Sequence, residues 1–368
     1  MPTKIEINIR TFITAIVLLV VGYLSYQLLG IFLILFVAFI LFSSTKPLVD
    51  YLERKGVKRM IAIILTYISI IASFLIIFYF IFTQSVTQVK NVVQDFRFNS
   101  DNIVLFVDQN LPFLSDDVRL RINDLENNLN SSDIIENLTT NSAFKSILES
   151  LGTVGNQGFK LIGNVIGGLF TIFMVLFISI YMVAPRNDFY EGALKYFPKR
   201  HFNRINKVLD KIKTGLGSWL VGQFILMFII GLATYIIIAL PGLFISGYEI
   251  GKFAFLIAVI AGLLEAIPNI GPIITLVIAV LLAVLVGSPA GIIIYLIISF
   301  TLLQQAEGLF LVPSVMKRAI ELNPIISILA ILAGFELTGS PIGALLAVPI
   351  VGTLQIIILD ILDNWKKD

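Results

Sequence analysis

Cysteine is absent from this chain of 368 residues, and histidine occurs once, at His201. Disulfides and thiolate chemistry are thereby excluded. A lone histidine in a basic, polar stretch does not build a metal centre, and no metal is expected. Charge is scarce too: Asp, Glu, Lys and Arg make up 14% of the residues, where a soluble domain carries about 25%. Inside the apolar runs no aspartate occurs before Asp360. Without paired aspartates, a Ser/His pair or a zinc motif, intramembrane proteolysis has no machinery, and Ser299 has no base near it. A glycine-rich phosphate loop is also missing, which argues against ATP-driven transport by this chain alone. The chain reads as a non-enzyme that needs no cofactor.

Apolar residues, in contrast, are abundant. They form 57% of the chain and raise its mean hydropathy to +0.95. They fall in several long runs, and a spanning helix needs roughly 20 apolar residues. The predicted fold is an all-α polytopic membrane protein with about eight transmembrane helices, broken or re-entrant helical hairpins and a helical external insert. The first run passes into a second without a cleavage-type small-residue site, so it is not a signal peptide.

Residues 11–45 would make one helix of about 52 Å, too long for the hydrocarbon core. Two short helices, 11–28 and 30–45, are expected as a hairpin. The loop 46–59 carries Lys46, Arg54, Lys55, Lys58 and Arg59, and basic loops stay in the cytoplasm. A third helix, 60–83, then crosses outward. Residues 84–155 hold ten acids against five bases and read as an external helical domain, entered by an amphipathic helix with Val86, Val89, Val93 and Phe96 on one face. A fourth helix, 159–183, returns; Gly163 and Gly167 have the small-xxx-small spacing that permits close helix approach. Residues 185–217 are basic again. Beyond Pro198, an apolar stripe of Phe202, Ile205, Val208, Leu209 and Ile212 predicts a helix lying on the membrane surface, in contact with lipid headgroups rather than nucleic acid. A fifth helix, 218–240, crosses outward, and apolar segments follow at 253–286, 290–312, 323–337 and 342–361. Lys317 and Arg318, then Lys366 and Lys367, place the last loop and the C-terminus inside with the N-terminus. Pro241 outside and Lys317 inside require an odd number of crossings between them. A re-entrant pair at 253–286 followed by one crossing meets this, and so do three crossings. The organisation expected is 1–83, first three helices; 84–157, external domain; 158–252, fourth and fifth helices with the amphipathic segment; and 253–368, transport core.

The stretch around which the chain is organised is Gly262-Leu-Leu-Glu-Ala-Ile-Pro-Asn-Ile-Gly-Pro272. It divides the run 253–286 into two arms too short to span. Pro268 and Pro272 each remove a backbone donor, and Gly271 loosens the chain between them. Non-helical backbone survives in lipid only where protein buries it or it lines a cavity. A broken apolar segment carrying Glu265 therefore points to a transport site; a plain turn with Glu265 wetted at the interface is the alternative. Asn269, Gln304, Gln305, Glu307 and Glu336 complete the candidates. Gln304 stands one turn before Glu307, on the face expected to share its cavity. Hydrogen bonding between helices is the alternative role for each, and Glu336, beside the turn at Gly339, has water as another surrounding. Gly287-Ser-Pro-Ala-Gly291 and Gly339-Ser-Pro-Ile-Gly343 form a weak internal echo, of the kind that points to paired binding segments.

Five short blocks, in order, carry a resemblance: Trp219-Leu-Val-Gly-Gln223, Ala266-Ile-Pro-Asn-Ile-Gly-Pro272, Gln304-Gln-Ala-Glu-Gly308 with Leu311-Val-Pro313, Leu322-Asn-Pro324, and Gly343-Ala-Leu-Leu-Ala-Val-Pro349. With these the chain resembles the autoinducer-2 exporter (AI-2E) family of bacterial membrane proteins. Many members carry other residues at the places of Glu265 and Asn269. The resemblance implies a transporter in the bacterial inner membrane and a homo-oligomer, a pentamer being one such assembly. The implied cargo is a small polar solute such as the quorum signal autoinducer-2, or a monovalent cation in Na+(Li+)/H+ antiport. A scaffold that captures a partner through the external domain is a further alternative. In the transporter reading, the external domain and first helices stay fixed while 253–286 and 323–361 move.

Overall fold

In a computed structural model of the chain, residues 27–110, 156–185, 199–245, 248–267, 271–317 and 322–365 are described, with Tyr23, Leu120, Gly192 and Ala319 as isolated positions. The elements are α1 (Leu29–Arg54), α2 (Arg59–Asn110), α3 (Asn156–Val183), α4 (Lys199–Ala239), 3-10 turns at Leu240–Leu243 and Glu249–Phe253, α5 (Ala254–Leu264), α6 (Gly271–Leu285), α7 (Ala290–Ala306) continued by a π turn Glu307–Leu311 and a single helical turn Val312–Val315, α8 (Pro324–Thr338) and α9 (Pro341–Trp365). Among the described residues, five stretches are long and apolar enough to cross a membrane: 29–54, 59–81, 202–243, 290–315 and 341–363. Shorter apolar helices lie at 167–183, 271–285 and 325–338. The fold is that of an all-α polytopic membrane protein. The predicted first helix at 11–28 and most of the acidic insert beyond 110 lie outside the described residues.

Several helices run further than hydropathy predicts. α1 does not stop at 45 but continues through Lys46 and Pro47 to Arg54. Its end is set by Gly56 at φ +92. There Gly56 N–H donates to Glu53 and Val57 N–H to Leu52, the paired bonds of a glycine-capped helix. Pro47 cannot donate to the carbonyl of Ser43. That carbonyl faces Gly217 of α4, where an added Cβ would sit 2.5 Å from it. α2 has 52 residues, about 78 Å of helix, so it leaves the membrane near Ile81 and continues to Asn110. The surface helix expected at 202–212 is instead the first part of α4, a 41-residue helix. Of its stripe, Ile212 is buried and Val208 packs beside it, in a cluster with Leu216, Trp219, Ile40 of α1 and Leu346 of α9. At Gly167 nothing among the described residues lies within 4 Å of an added Cβ. Helices meet instead at Gly231 with Gly262 and at Gly334 with Gly343.

Arg59 ties the first three helices together. Its guanidinium pairs with Asp50 (3.1 Å) and Glu53 (2.6 Å). It also donates to the carbonyls of Val183, Ala184 and Pro185, which the end of α3 leaves without helical donors.

α5 and α6 form a re-entrant hairpin. Their outer ends share one buried cluster, in which Phe253 and Leu285 pack with Ile238 of α4 and Ile293 of α7. The arms have 11 and 15 residues, each shorter than the roughly 20 that a full crossing needs, and the helical stretch 290–315 that follows is long enough to cross. α6 ends at Gly287 (φ +69), with Ser288 N–H donating to Ala283, and Pro289 precedes α7. α8 starts on an Asn323 cap, whose side chain accepts from Ile325 N–H at 2.9 Å, and ends at Gly339 (φ +61). The two Gly-Ser-Pro motifs of the internal echo are therefore the same device, a left-handed glycine closing one helix before a proline opens the next. α9 turns back on α8 and runs along α4, where Arg204 Nε donates to Asp360 at 2.7 Å. The α8–α9 hairpin thus flanks the Lys199 end of α4 and the α5–α6 hairpin its Ala239 end.

Candidate functional site

Glu265 ends α5 at the tip of the re-entrant hairpin and is 1% exposed. The tip lies deep. Gly262 crosses α4 at Met227 and Gly231, and Gln223 Nε2 donates to the carbonyl of Glu265 at 2.7 Å. Gln223 is 16 residues from the end of α4 at Ala239, about 24 Å along the helix. The bond supplies a donor to a carbonyl at a helix end, where none is available from the helix itself. Gly271 closes the tip. A Cβ on it would lie 2.6 Å from the carbonyl carbon and oxygen of Leu264 and 2.8 Å from Glu265 N. α6 can begin here only because this residue has no side chain.

Glu307 arrives from α7. It is the first residue of the π turn and is 7% exposed. The Glu265 and Glu307 carboxyl groups lie against each other. Carboxylates only accept hydrogen bonds and repel one another, so two that meet in a buried site can bond only through a proton. The Oε2 atom of each is buried and has no hydrogen-bond partner among the described residues. The site therefore consists of two buried carboxyl groups side by side, each with one oxygen that has no partner among the described residues. A group of this composition can hold and release a proton, or exchange it for a monovalent cation.

The structure brings together Glu265, Glu307, Gly271 and Pro272, all buried. Pro268 and Asn269 lie outside the described residues. Gln304 and Gln305 are exposed, whereas Glu307 is buried, so neither amide joins the carboxyl pair. Glu336 is also exposed, on α8 three residues before Gly339. Gln223 was not among the predicted site residues. Its signal was an amide inside the apolar run of the fifth helix.

The AI-2E family transporter model matches residues 12–363. Two Bacillus subtilis (strain 168) proteins are similar. "Putative transport protein YueF" is 26% identical over 336 residues, covering 90% of this chain and 84% of that protein. "Putative transport protein YrrI" is 28% identical over 201 residues, covering 55% of this chain and about half (54%) of that protein's length. With its apolar helices, its re-entrant hairpin and a family match over nearly its whole length, the chain is a multi-pass membrane protein that belongs to the AI-2E transporter family.

Proposed function

We propose that this protein is a secondary transporter of a small polar solute, coupled to an ion through the Glu265–Glu307 pair. The observation that supports this is the pair itself: two carboxyl groups buried at the tip of a hairpin whose two arms are short for a full crossing. Loading and releasing a proton requires that the pair meet water on each side in turn, so the closed arrangement is one state of a cycle. The hairpins α5–α6 and α8–α9 are the parts that move, in a homo-oligomer held by the earlier helices. Autoinducer-2 export is the substrate reading that the family resemblance suggests. The carboxyl pair gives specific support to a second reading, Na+(Li+)/H+ antiport, because its two spare oxygens suit a small cation that replaces the proton.

Purified full-length protein in proteoliposomes tests this. An imposed pH gradient, with Na+, Li+ or autoinducer-2 on the opposite side, is expected to drive proton movement above that of empty vesicles. Flux equal to empty vesicles for every cargo overturns the reading.

Basic residues at the α1–α2 connection and after Ser314 support a cytoplasmic side for that face and for both termini, in the membrane of a bacterial cell. The absence of cysteine makes single-cysteine labelling direct. An impermeant maleimide applied to intact cells is expected to label Phe244→Cys, at a position 81% exposed, and to leave Lys58→Cys untouched until the cells are opened. The reverse pattern inverts the topology.

A further inference from the structure

Away from the carboxyl pair, a cavity of about 1100 Å³ lies between α1, α4 and the turn Ser314–Lys317. Neither Glu265 nor Glu307 lines it. Five bases do, Lys46, Arg54, Arg59, Lys213 and Lys317, against two acids, Asp50 and Glu53. Arg59 pairs with both acids. Asp210, just outside the wall, lies 3.1 Å from the Lys213 ammonium. Counted with Asp210, five bases stand against three acids at this cavity among the described residues. Lys46 is 8% exposed, on an otherwise apolar stretch of α1. Excess charge of one sign in a partly enclosed, low-dielectric space is unfavourable until a counter-charge enters it.

The hydroxyls divide into two kinds. Ser43 and Ser44 donate to the carbonyls of Phe39 and Leu41, so they offer the cavity lone pairs. Thr214, Ser218 and Ser314 also line it and make no hydrogen bond among the described residues, so their protons remain available. Ammonium groups and free hydroxyls together suit an oxyanion with several acceptor oxygens. The volume far exceeds that of an inorganic phosphate. One flank is apolar: Val221 and Ile225 line the cavity and are themselves exposed on the outer surface of α4.

We propose that this cavity binds a phosphate ester, its phosphate held by Lys46, Lys317 and the Ser218 and Ser314 hydroxyls and its substituent lying along Val221 and Ile225. The phosphate belongs either to an anionic phospholipid headgroup or to a soluble ester. The site is independent of the transport reading.

The test is equilibrium binding to full-length, delipidated protein, with phosphatidylglycerol and glycerol 3-phosphate as the two probes. At least one is expected to saturate at one per chain. Lys46→Gln with Lys317→Gln is expected to weaken it by about tenfold or more, the loss expected for a charge-assisted hydrogen bond. Lys58→Gln, an exposed base on the same face but outside the walls, is expected to leave it unchanged. Saturation by the lipid alone assigns the phosphate to a headgroup, and saturation by glycerol 3-phosphate assigns it to a soluble ester. If removing the buried lysine prevents folding, Lys317→Gln and Ser314→Ala carry the test, since both positions are exposed. The proposal fails if neither probe saturates, or if the wall variants bind as tightly as the wild type.

Discussion

Glu265→Gln and Glu307→Gln, each made alone, are expected to lower ion-coupled flux in proteoliposomes by about tenfold or more, the loss that follows from removing one charge-assisted interaction. The remaining flux is expected to be flat with pH. Glutamine has the shape of glutamate and carries an N–H donor, so it imitates the protonated carboxyl permanently. The hydrogen bond across the pair survives, the buried site keeps its fold, and only the exchange of the proton is removed. Stability is accordingly expected to change by no more than about 1 kcal/mol. The double variant is expected to be little worse than either single one, because two groups that share one proton act as a unit and their losses do not add. Glu336→Gln, at an exposed position on α8, is expected to transport as the wild type does. If the two pair variants, singly and together, leave the rate and its pH dependence unchanged, Glu265 and Glu307 are packing groups and the proton-coupled reading falls.

The position of Glu265 was legible in the sequence because a carboxylate inside a broken apolar run is costly without a role or a partner. The break itself was legible in Pro268, Gly271 and Pro272, and the structure ends one helix at Leu264 and starts the next at Gly271. That Glu265 meets Glu307 was not legible. The two come from different helices 42 residues apart in sequence, and no local spacing announces a contact of that kind. Gln304, one turn before Glu307, is exposed while Glu307 is buried, so helical spacing alone placed it too close to the site. Gln223 went unmarked for another reason. A single amide in an apolar helix is common interhelical glue, and only the structure shows that its partner is the carbonyl at the hairpin tip.

Helix ends were misjudged where hydropathy changes but the backbone does not. Hydropathy marks where lipid stops, whereas a helix stops only at a breaker or a cap. α2 runs on past Ile81 and α4 is already helical at Lys199, without interruption at the predicted boundaries. The amphipathic stripe at 202–212 had two partners available, headgroups or protein, and periodicity does not choose between them. The loop expected from residue 46 is helix as far as Arg54, and that helix tolerates the donor missing at Pro47, the freed carbonyl lying against Gly217.

Gly271→Ala is the smallest change expected to disable the hairpin. The added methyl carbon would sit 2.6 Å from the carbonyl carbon and oxygen of Leu264 and 2.8 Å from Glu265 N. All three are backbone atoms, so no side chain can rotate away. Gly271 is not among the glycines with positive φ, so alanine meets no conformational penalty there and the effect is steric alone. Relief requires α6 to move off the last turn of α5. That movement shifts Glu265 relative to Gln223 and Glu307 and opens the site that the pair occupies. Overpacking of this kind costs about 1–3 kcal/mol, enough to lower the thermal midpoint by a few degrees. The chain has two tryptophans, and buried Trp219 reports the transition by fluorescence. Gly308→Ala and Gly291→Ala are the matched controls, since nothing lies within 4 Å of a Cβ at either position. Both are expected to unfold within about 0.5 kcal/mol of the wild type, as substitutions away from packed features do. Where Gly271→Ala still folds, its ion-coupled flux is expected to be lost while the controls transport. If Gly271→Ala proves as stable and as active as Gly308→Ala, the close approach at the hairpin tip does not exist in the working protein.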